Sequence, residues 1–410
     1  MSTEQSAALS VSRRGQSMPA SPIRKLVPFA DEAKAKGIKV YHLNIGQPDI
    51  PTHETVLQTA RNFEKNVIAY THSQGTSDFV GSLQAYYEKV GVSLKREEIN
   101  VTTGGSEAVL FAFLLALNPG EEVLIPEPFY TNYNGFACVA DVKIKPITTR
   151  GEDGFHLPSS EVIREKIGPN TKAILLCNPS NPTGTVYTRD EIDRIAALAK
   201  EFNLWLLCDE VYREFVFEPQ DNLYRSALEI KGLENQVIVM DSISKRFSMC
   251  GSRIGCLVSR NTEIMDGALR LSQARLSSPE LEQAMAKVAY ELPDSYIPEV
   301  IDEYRKRRDV VYSALQKMED VQVTQPEGAF YTIPKLPVKN TEHFAKWLLT
   351  DFSDQGETLM VAPAAGFYAT PGLGLDEIRI AYVLDTTRLE RAMELLHKAL
   401  IQYKELEHTE

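Results

Sequence analysis

A lysine at the end of an apolar run is surrounded by residues that could take part in chemistry. Lys245 follows the run VIVMDSIS, with Ser242 and Ser244 just before it and Arg253 eight residues after it. A lysine after a strand is usually a solvated surface residue, but this grouping offers hydroxyls and a guanidinium that can bind a phosphate. An amine beside a phosphate site can form a Schiff base with an aldehyde that carries the phosphate. The segment therefore predicts a lysine that binds such an aldehyde covalently.

Two charged residues stand in apolar runs, where a charge needs a partner. Asp209 is at the end of LWLLCDE, and Arg379 lies within EIRIAY. Burying a charge is costly unless an opposite charge or hydrogen bonds compensate. Asp209 could pair with a cationic ligand, or it could be a helix cap or part of a structural ion pair. Arg379 could bind a substrate carboxylate or belong to an internal salt bridge.

Two loop segments add weaker signals. The turn NPSNPTG at residues 178–184 follows the apolar run KAILLC, and its prolines and glycine can aim Asn181 inward, or it is only a turn. The segment TTGGSEA at residues 102–108 opens an apolar helix. Backbone N–H groups at such a helix start can cradle a phosphate, although a pair of glycines before a helix is common.

The elements that must position these residues alternate from Ile99 onward. Short runs rich in Val, Ile and Leu lack polar alternation, so we expect both of their faces to be covered. The runs are EEVLIP, KAILLC, LWLLCDE, QVIVMDSIS and IGCLVS. A capping box from Thr188 to Glu191 opens the helix between KAILLC and LWLLCDE. This order predicts an α/β fold with a parallel or mixed doubly wound sheet.

The sequence pattern changes again past Leu292. A long charged helix pattern is followed by EIRIAYVLD and by a last amphipathic helix that starts near Asp385. We predict a smaller α+β domain from residues 21–50 and 293–410, and a large domain from residues 51–292. Residues 1–20 are polar and small, and they are predicted to form a flexible N-terminal arm. No low-complexity linker occurs, so the two domains should share an interface.

The composition of the chain argues against several classes of protein. The chain has 410 residues with 43% apolar residues, which excludes long-range disorder. Its 44 Lys and Arg against 56 Asp and Glu give a net charge of −12, unfavourable for nucleic acid or anionic lipid. There is no apolar run of ~18 residues and no signal sequence, so neither a membrane span nor secretion is expected. Five cysteines without a CxxC and scattered histidines predict a cytoplasmic protein without a metal site.

Taken together and in this order, the segments resemble the class I and II aminotransferases of fold type I. The resemblance runs from about Pro22 to Val383. Its most specific parts are NPTG, the Asp-x-x-Tyr after a strand, SxSK with the downstream arginine, and the late arginine. The turn GQPD and the loop YTHSQG match further landmarks. The resemblance implies a large domain with a mixed, mostly parallel sheet flanked by helices, plus a smaller α+β domain.

The resemblance also implies a cofactor, pyridoxal 5′-phosphate, and roles for individual residues. Lys245 would hold the cofactor as an internal aldimine and carry a proton between substrate and cofactor. Asp209 would keep the pyridine nitrogen protonated, and Tyr212 would act at the ring hydroxyl together with Asn181. Tyr130 would stack on the ring.

The same resemblance assigns the phosphate and the substrate. The phosphate would be held by Gly105, Ser106, Ser242, Ser244 and Arg253. Tyr70 would reach it from the neighbouring subunit, so the catalytic unit would be a homodimer. The α-carboxylate of the substrate would be clamped by Arg379, with Gly46 close by and with Tyr130 and Asn181 also in contact.

The motifs do not specify the side chain of the substrate. Aspartate is the first choice of amino donor and 2-oxoglutarate the acceptor, in a ping-pong reaction. Arg275 stands near the segment that supplies a distal cation in some relatives, but it could equally be a surface helix arginine. Ile23 and Tyr130 could instead favour apolar or aromatic amino acids.

Two other classes of protein use the same domain. A β-eliminating lyase would use the same fold and the same lysine. A DNA-binding regulator with this domain is not expected, because only about twenty residues precede Pro22.

Overall fold

The computed structural model describes residues 9–218 and 223–407. The α-helices in this part of the chain are α1 Arg13–Ser17, α2 Val27–Ala35, α3 Glu54–Arg61, α4 Ser77–Lys89, α5 Gly104–Ala116, α6 Asn132–Ala140, α7 Ser160–Lys166, α8 Arg189–Glu201, α9 Thr262–Arg275, α10 Glu280–Tyr290, α11 Tyr296–Leu315, α12 Thr341–Thr350 and α13 Thr386–Glu407. The β-strands are β1 Lys39–His42, β2 Ile99–Thr102, β3 Glu122–Glu127, β4 Lys143–Thr148, β5 Thr171–Cys177, β6 Trp205–Asp209, β7 Val237–Ser242, β8 Gly255–Val258, β9 Tyr331–Thr332, β10 Glu357–Met360, β11 Ala362–Pro363 and β12 Ile378–Ala381.

The five predicted runs form β3, β5, β6, β7 and β8, which lie with β2 and β4 in one seven-stranded sheet in the order β2-β8-β7-β6-β5-β3-β4. β8 runs antiparallel to both of its neighbours, and the other pairings are parallel. Residues on the two faces of the sheet belong to separate apolar clusters: in β6, Leu206 packs on one side and Leu207 on the other. The first cluster includes residues of α4, α8 and α10, and the second includes residues of α5, α6 and α9. The predicted α/β architecture with a mixed, mostly parallel sheet is confirmed.

The helix α8 shows how local sequence signals set the element boundaries. The Thr188 hydroxyl accepts from the Glu191 N–H at 3.3 Å, and a Glu191 carboxylate oxygen accepts from the Thr188 N–H at 2.7 Å. These two bonds satisfy N–H groups that the helix itself leaves unpaired at its start. The predicted capping box is therefore present.

The strand β4 was not predicted from the sequence. Its residues KIKPIT carry two lysines and a proline, and it lies at the edge of the sheet beside β3. Edge strands often contain lysine and proline, since one side of their backbone needs no sheet partner. The apolar pattern that marks a central strand is missing for this reason.

The remaining strands and the C-terminal helices form a smaller α+β unit. β1 pairs with β10, while β11, β12 and β9 form an antiparallel sheet. The apolar core of this unit also includes Tyr212, Phe215 and Phe217, which follow β6 of the large sheet. The two units thus share an interface.

The first described residues run between the two units: Ser17 lies 3.4 Å from Cys138 of α6, and Pro22 contacts Gly366 of the smaller unit. Residues 1–8 of the predicted flexible arm lie outside the described part, and residues 13–17 form the short helix α1. Over the described ranges, no helix is long and apolar enough to cross a membrane.

Candidate active site

A cavity of about 540 Å³ opens at the carboxyl ends of β5, β6 and β7. Ligand sites of open α/β sheets occur at this edge, because the loops leaving parallel strands converge there. The predicted site residues in its wall are Gly46, Gly105, Ser106, Tyr130, Asn181, Asp209, Tyr212, Ser242, Ser244, Lys245, Arg253 and Arg379. The fold therefore brings together residues that lie up to 333 positions apart, from Gly46 to Arg379.

Lys245 lies three residues beyond β7 and extends into the cavity. Its Nζ donates to the Gly46 carbonyl at 2.8 Å and lies 3.7 Å from Cys250 Sγ. Burial lowers the pKa of Lys245 below its ordinary value, and the nearby charges of Arg379 and Arg253 lower it further. A lowered pKa increases the fraction of neutral amine, which is the nucleophilic form.

Asp209 is the last residue of β6, and its buried carboxylate lines the cavity. It is 7% exposed and accepts a hydrogen bond from the Tyr133 hydroxyl at 2.7 Å. Burial raises the pKa of Asp209 to about 6. In the part of the chain that the structure describes, Asp209 forms no ion pair, so the alternative of a structural ion pair is not observed. The described residues supply no cation to this carboxylate, which lines the cavity.

The wall on the side of α5 consists of hydrogen-bond donors. The helix begins at Gly104, and Gly105 and Ser106 form its first turn. A side chain at Gly104 would collide with the Arg253 guanidinium, so the arginine lies directly on the helix start. The hydroxyls of Ser242 and Ser244 are 2.8 Å apart on the same wall. A helix N-terminus, an arginine and hydroxyls together favour a dianion such as a phosphate.

The backbone of Arg253 is held in an unusual conformation at this wall. Its φ is +54°, in the left-handed region that residues other than glycine rarely adopt. Such strain of about 1–3 kcal/mol persists where the surrounding structure fixes it, commonly at ligand sites. The guanidinium is further fixed by a bond from Nη1 to the Cys250 carbonyl at 2.8 Å.

Arg379 in β12 is a buried cation without an anionic partner. It is 2% exposed, and its guanidinium lies between the rings of Tyr331 and Phe367, at 4.7 and 4.9 Å from their centroids. Its Nη1 donates to Asn181 Oδ1 at 3.1 Å and its Nη2 to the Asn44 carbonyl at 2.5 Å, while Nε has no partner. Among the described residues no carboxylate pairs with it, so the alternative of an internal salt bridge is not observed.

Sequence reasoning missed two tyrosines that build the site. The Tyr331 and Tyr212 hydroxyls are 2.8 Å apart and share a hydrogen bond, and a side chain at Gly46 would collide with Tyr331. Tyr133, which binds Asp209, stands three residues after Tyr130 on α6. The spacing of Tyr130 and Tyr133 was an available signal, whereas Tyr331 in GAFYTIP looks like an ordinary core residue.

Two residues of the predicted site region lie outside the cavity. Tyr70 is 79% exposed, in the loop before α4. Arg275, at the end of α9, has its Nε 3.1 Å from a Glu107 carboxylate oxygen and donates from Nη1 to the Ser278 hydroxyl at 2.9 Å. Thr71 donates to the Ser278 carbonyl at 3.3 Å, so the loop of Tyr70 adjoins the segment after Arg275. Within one chain, Arg275 has a structural ion pair and does not reach the cavity.

Comparison with known proteins identifies the family. The family model described as aminotransferase class I and II matches residues 38–396. The chain is 34% identical over 309 residues to an aspartate aminotransferase of Sulfolobus acidocaldarius, covering 74% of this chain and 76% of that protein.

Solved structures are similar over almost the whole chain. An aspartate aminotransferase of Thermotoga maritima superposes with a TM-score of 0.86 at 27% identity, covering 95% of this chain and 100% of that chain. An alanine aminotransferase of Pyrococcus furiosus gives a TM-score of 0.86 at 28% identity, covering 96% and 100%. Because both the family model and these structures extend over nearly all of its length, the chain belongs to the class I and II aminotransferases, enzymes that depend on pyridoxal phosphate.

Proposed function

We propose that the protein transfers the amino group of an L-amino acid, aspartate as first choice, to 2-oxoglutarate by a ping-pong reaction. The observation that carries this proposal is a pair of buried, unpaired and opposite charges, Asp209 and Arg379, in the wall of one cavity with Lys245. A cationic ring nitrogen and a substrate carboxylate are the two partners that these charges lack. The names of the relatives support an aminotransferase, and aspartate is the donor named for several of them.

The donor set of the cavity fits pyridoxal 5′-phosphate. Gly105, Ser106, Ser242, Ser244 and Arg253 would hold the phosphate, and Asp209 would hold the ring nitrogen. Asn181 and Tyr212 would bind the ring hydroxyl, and Tyr130 would pack on the ring. When bound, the cofactor supplies an aldehyde carbon for the amino group and a ring that accepts the electrons of the substrate Cα–H bond.

The side chains of this chain then have separate tasks. Arg379 holds the α-carboxylate with two parallel hydrogen bonds, which fixes the direction of the Cα–H bond. Lys245 Nζ, whose pKa is lowered by burial, takes the proton from Cα and returns a proton to complete the transfer. Asp209 stays ionised once a cation faces it, because an opposite charge favours the carboxylate form.

We further infer a homodimer in which Tyr70 serves the phosphate site of the other subunit. Exposed apolar side chains surround Tyr70: Val67 is 73% exposed and Ile68 is 69% exposed. Burying such a surface against a second copy would also cover Leu276, which is 48% exposed and follows Arg275. Mixing inactive Lys245→Ala with inactive Tyr70→Phe should restore activity through hybrid dimers after subunit exchange. A monomer that is fully active at the assay concentration would contradict the dimer.

The proposed reaction is tested with the purified holoenzyme and single amino acids. A 2-oxo acid should form in a half-reaction without acceptor, together with loss of the absorption band of the bound aldehyde. Pyruvate with ammonia or sulfide would mean β-elimination and would overturn the proposal. Borohydride reduction and peptide mapping should label Lys245. A label on another lysine would remove Lys245 from its role, and Lys89→Ala, an exposed residue paired with Asp294, should behave as the unmodified protein does.

A further inference from the structure

The segment before α2 crosses the mouth of the cavity from one domain unit to the other. We call residues 17–24 the N-terminal strap. At one end, Ser17 Oγ lies 3.4 Å from Cys138 Sγ, and Met18 packs against Gly135, both on α6. At the other end, Pro22 packs against Gly366 of the smaller unit. The strap is therefore held at both ends, and its middle faces the cavity.

Three strap residues line the cavity, and one of them is a cation. They are Ser21, Ile23 and Arg24. Ile23 packs in a small apolar cluster with Phe367, whose ring lies 4.9 Å from the Arg379 guanidinium. Arg24, the next residue, is exposed and lines the same cavity as Arg379.

The cations of the cavity wall differ in what they are available to bind. Of the residues that the structure describes, four cationic side chains line it: Arg24, Lys245, Arg253 and Arg379. Lys245 and Arg253 serve the cofactor in the proposed function, and Arg379 serves the α-carboxylate. Over residues 9–218 and 223–407, Arg24 forms no ion pair, whereas the adjacent Lys25 pairs with Glu342 outside the cavity.

We propose that Arg24 binds the second carboxylate of a dicarboxylic amino or 2-oxo acid. The inference rests on the proposed function and names the residue that selects its substrate class. A guanidinium suits this task because its planar donors match a carboxylate. Arg275, the other candidate, is held by Glu107 away from the cavity. Arg24 is exposed in the structure, so its charge is free to close on a substrate without first breaking an internal pair.

The test compares Arg24→Gln with the unmodified holoenzyme. We expect kcat/KM for aspartate and glutamate to fall roughly ten- to a hundredfold, the size of a lost charge-assisted hydrogen bond. Alanine and phenylalanine, which have one carboxylate, should change by less than about twofold. Arg24→Lys should keep part of the preference, and the matched control Lys25→Gln should keep all of it.

A binding measurement gives a second readout that does not depend on turnover. Succinate has two carboxylates and butyrate one, and the dissociation constants of both can be measured by calorimetry. In Arg24→Gln, succinate should bind more weakly while butyrate binds as before.

Each remaining outcome decides against one of the two proposals. Equal loss for all donors, or no loss at all, overturns the role of Arg24. Selective loss in Arg275→Gln, with Arg24→Gln unchanged, also overturns it and moves the role to Arg275. If the unmodified protein transaminates no amino acid, the proposed function fails, and the succinate measurement still decides whether Arg24 binds a second carboxylate.

Discussion

Two sets of charged residues are interleaved along the same segments of the chain, and they differ in how their charges are paired. In each segment one residue faces the cavity and the next faces a buried cluster behind it: Asp209 and Glu210, Tyr212 and Arg213, Lys245 and Arg246. We call the cluster formed by Glu210, Arg213, Glu214, Asp241 and Arg246 the Asp241 network. The same backbone thus positions a site and a scaffold.

In the Asp241 network every charge has an opposite charge at contact distance. Asp241 accepts from Arg213 at 2.9 Å and from Arg246 at 2.6 Å. Arg213 also pairs with Glu210 at 2.5 Å, and Arg246 with Glu214 at 3.1 Å. Burial alone would raise the pKa of Asp241, but the two guanidiniums hold it below the ordinary value.

In the cavity, the buried charges lack opposite charges at contact distance among the described residues. Burial raises the pKa of Asp209 to about 6, and burial lowers the pKa of Arg379. No compensating charge is present for either of them in the described part of the chain. Charges that are buried to a similar degree therefore fall into two groups. One group is paired within the protein and stabilises the fold, and the other has no partner within the described protein. Pairing, rather than burial, separates the two groups.

The largest expected effect comes from comparing Asp209→Asn with Asp241→Asn. Asp209→Asn should lower kcat/KM a few hundred- to a few thousandfold, about 3–5 kcal/mol, because the ring nitrogen loses its anion. Its apoprotein should be at least as stable as the unmodified one at neutral pH. The pKa of Asp209 is raised on folding, so its ionised form opposes folding there.

Asp241→Asn should behave in the reverse way. It leaves two buried guanidiniums short of an anion, so the free energy of unfolding should fall by about 3–5 kcal/mol. Urea unfolding of both apoproteins, with steady-state kinetics of both holoenzymes, measures the contrast. A stable Asp241→Asn beside an unfolded Asp209→Asn would reverse the distinction between site and scaffold.

Arg379→Gln tests the other unpaired charge. It should raise the activation free energy that kcat/KM reports by about 2–5 kcal/mol for every amino acid donor, because all donors share the α-carboxylate. Stability should change little, since no ion pair is broken. Arg213→Gln, a buried arginine of the network, is the control and should lose stability instead. An Arg379→Gln protein that is active but unstable would show that the guanidinium is structural.

Much of this division could be anticipated from the sequence because the motifs lie at strand ends. The strand runs, the capping box of α8 and the turn containing Asn181 follow from local patterns, and the structure confirms these elements. Asp209 and Arg379 could be recognised as charges in need of partners. The sequence does not show whether the partner of a buried charge lies within the protein, since Arg213 and Asp209 both stand as charged residues in apolar surroundings.

The parts that escaped the sequence depend on long-range contacts. Tyr331 is 119 positions from Tyr212, to which it is hydrogen bonded, and no local pattern links them. Residues 17–20 of the N-terminal strap were predicted to belong to a polar, flexible arm, because the contacts of Ser17 and Met18 are with α6, far along the chain. The edge strand β4 lacks the apolar run that marked its neighbours.

The raised pKa of Asp209 should make cofactor binding depend on pH, an effect smaller than those of the substitutions above. In the apoprotein Asp209 has a pKa of about 6, so it is ionised at pH 7.5 and protonated at pH 5. A cationic ring binds the ionised form, so the affinity for pyridoxal phosphate should fall by up to about tenfold per pH unit below pH 6. Fluorescence titration of the apoprotein measures it. Asp209→Asn should lack this component, and identical slopes for the two proteins would rule out Asp209 as the group responsible.

The smallest expected effect concerns a paired charge outside both sets. His156 Nδ1 lies 3.0 Å from a Glu191 carboxylate oxygen at the start of α8, and its Nε2 lies 3.6 Å from Glu327. The hydrogen bonds to Glu191 and then Glu327 raise the pKa of His156 to about 10. Glu152 and Asp153 border the same small cavity and add negative charge. His156 is therefore charged and paired at neutral pH, as the residues of the Asp241 network are, but it is only half-buried.

A raised histidine pKa stabilises the fold below the unfolded-state value near 6.5, and this contribution is lost as the pH rises through about 10. His156→Gln should reduce the free energy of unfolding by about 1–2 kcal/mol between pH 6 and 8, since the partners are partly solvated. By about pH 10.5 the unmodified protein and the variant should have converged. Urea unfolding across this range measures the difference, with His397→Gln on α13 as the control. A difference that stays constant from pH 6 to 10.5 would mean that His156 contributes by packing and not by its charge.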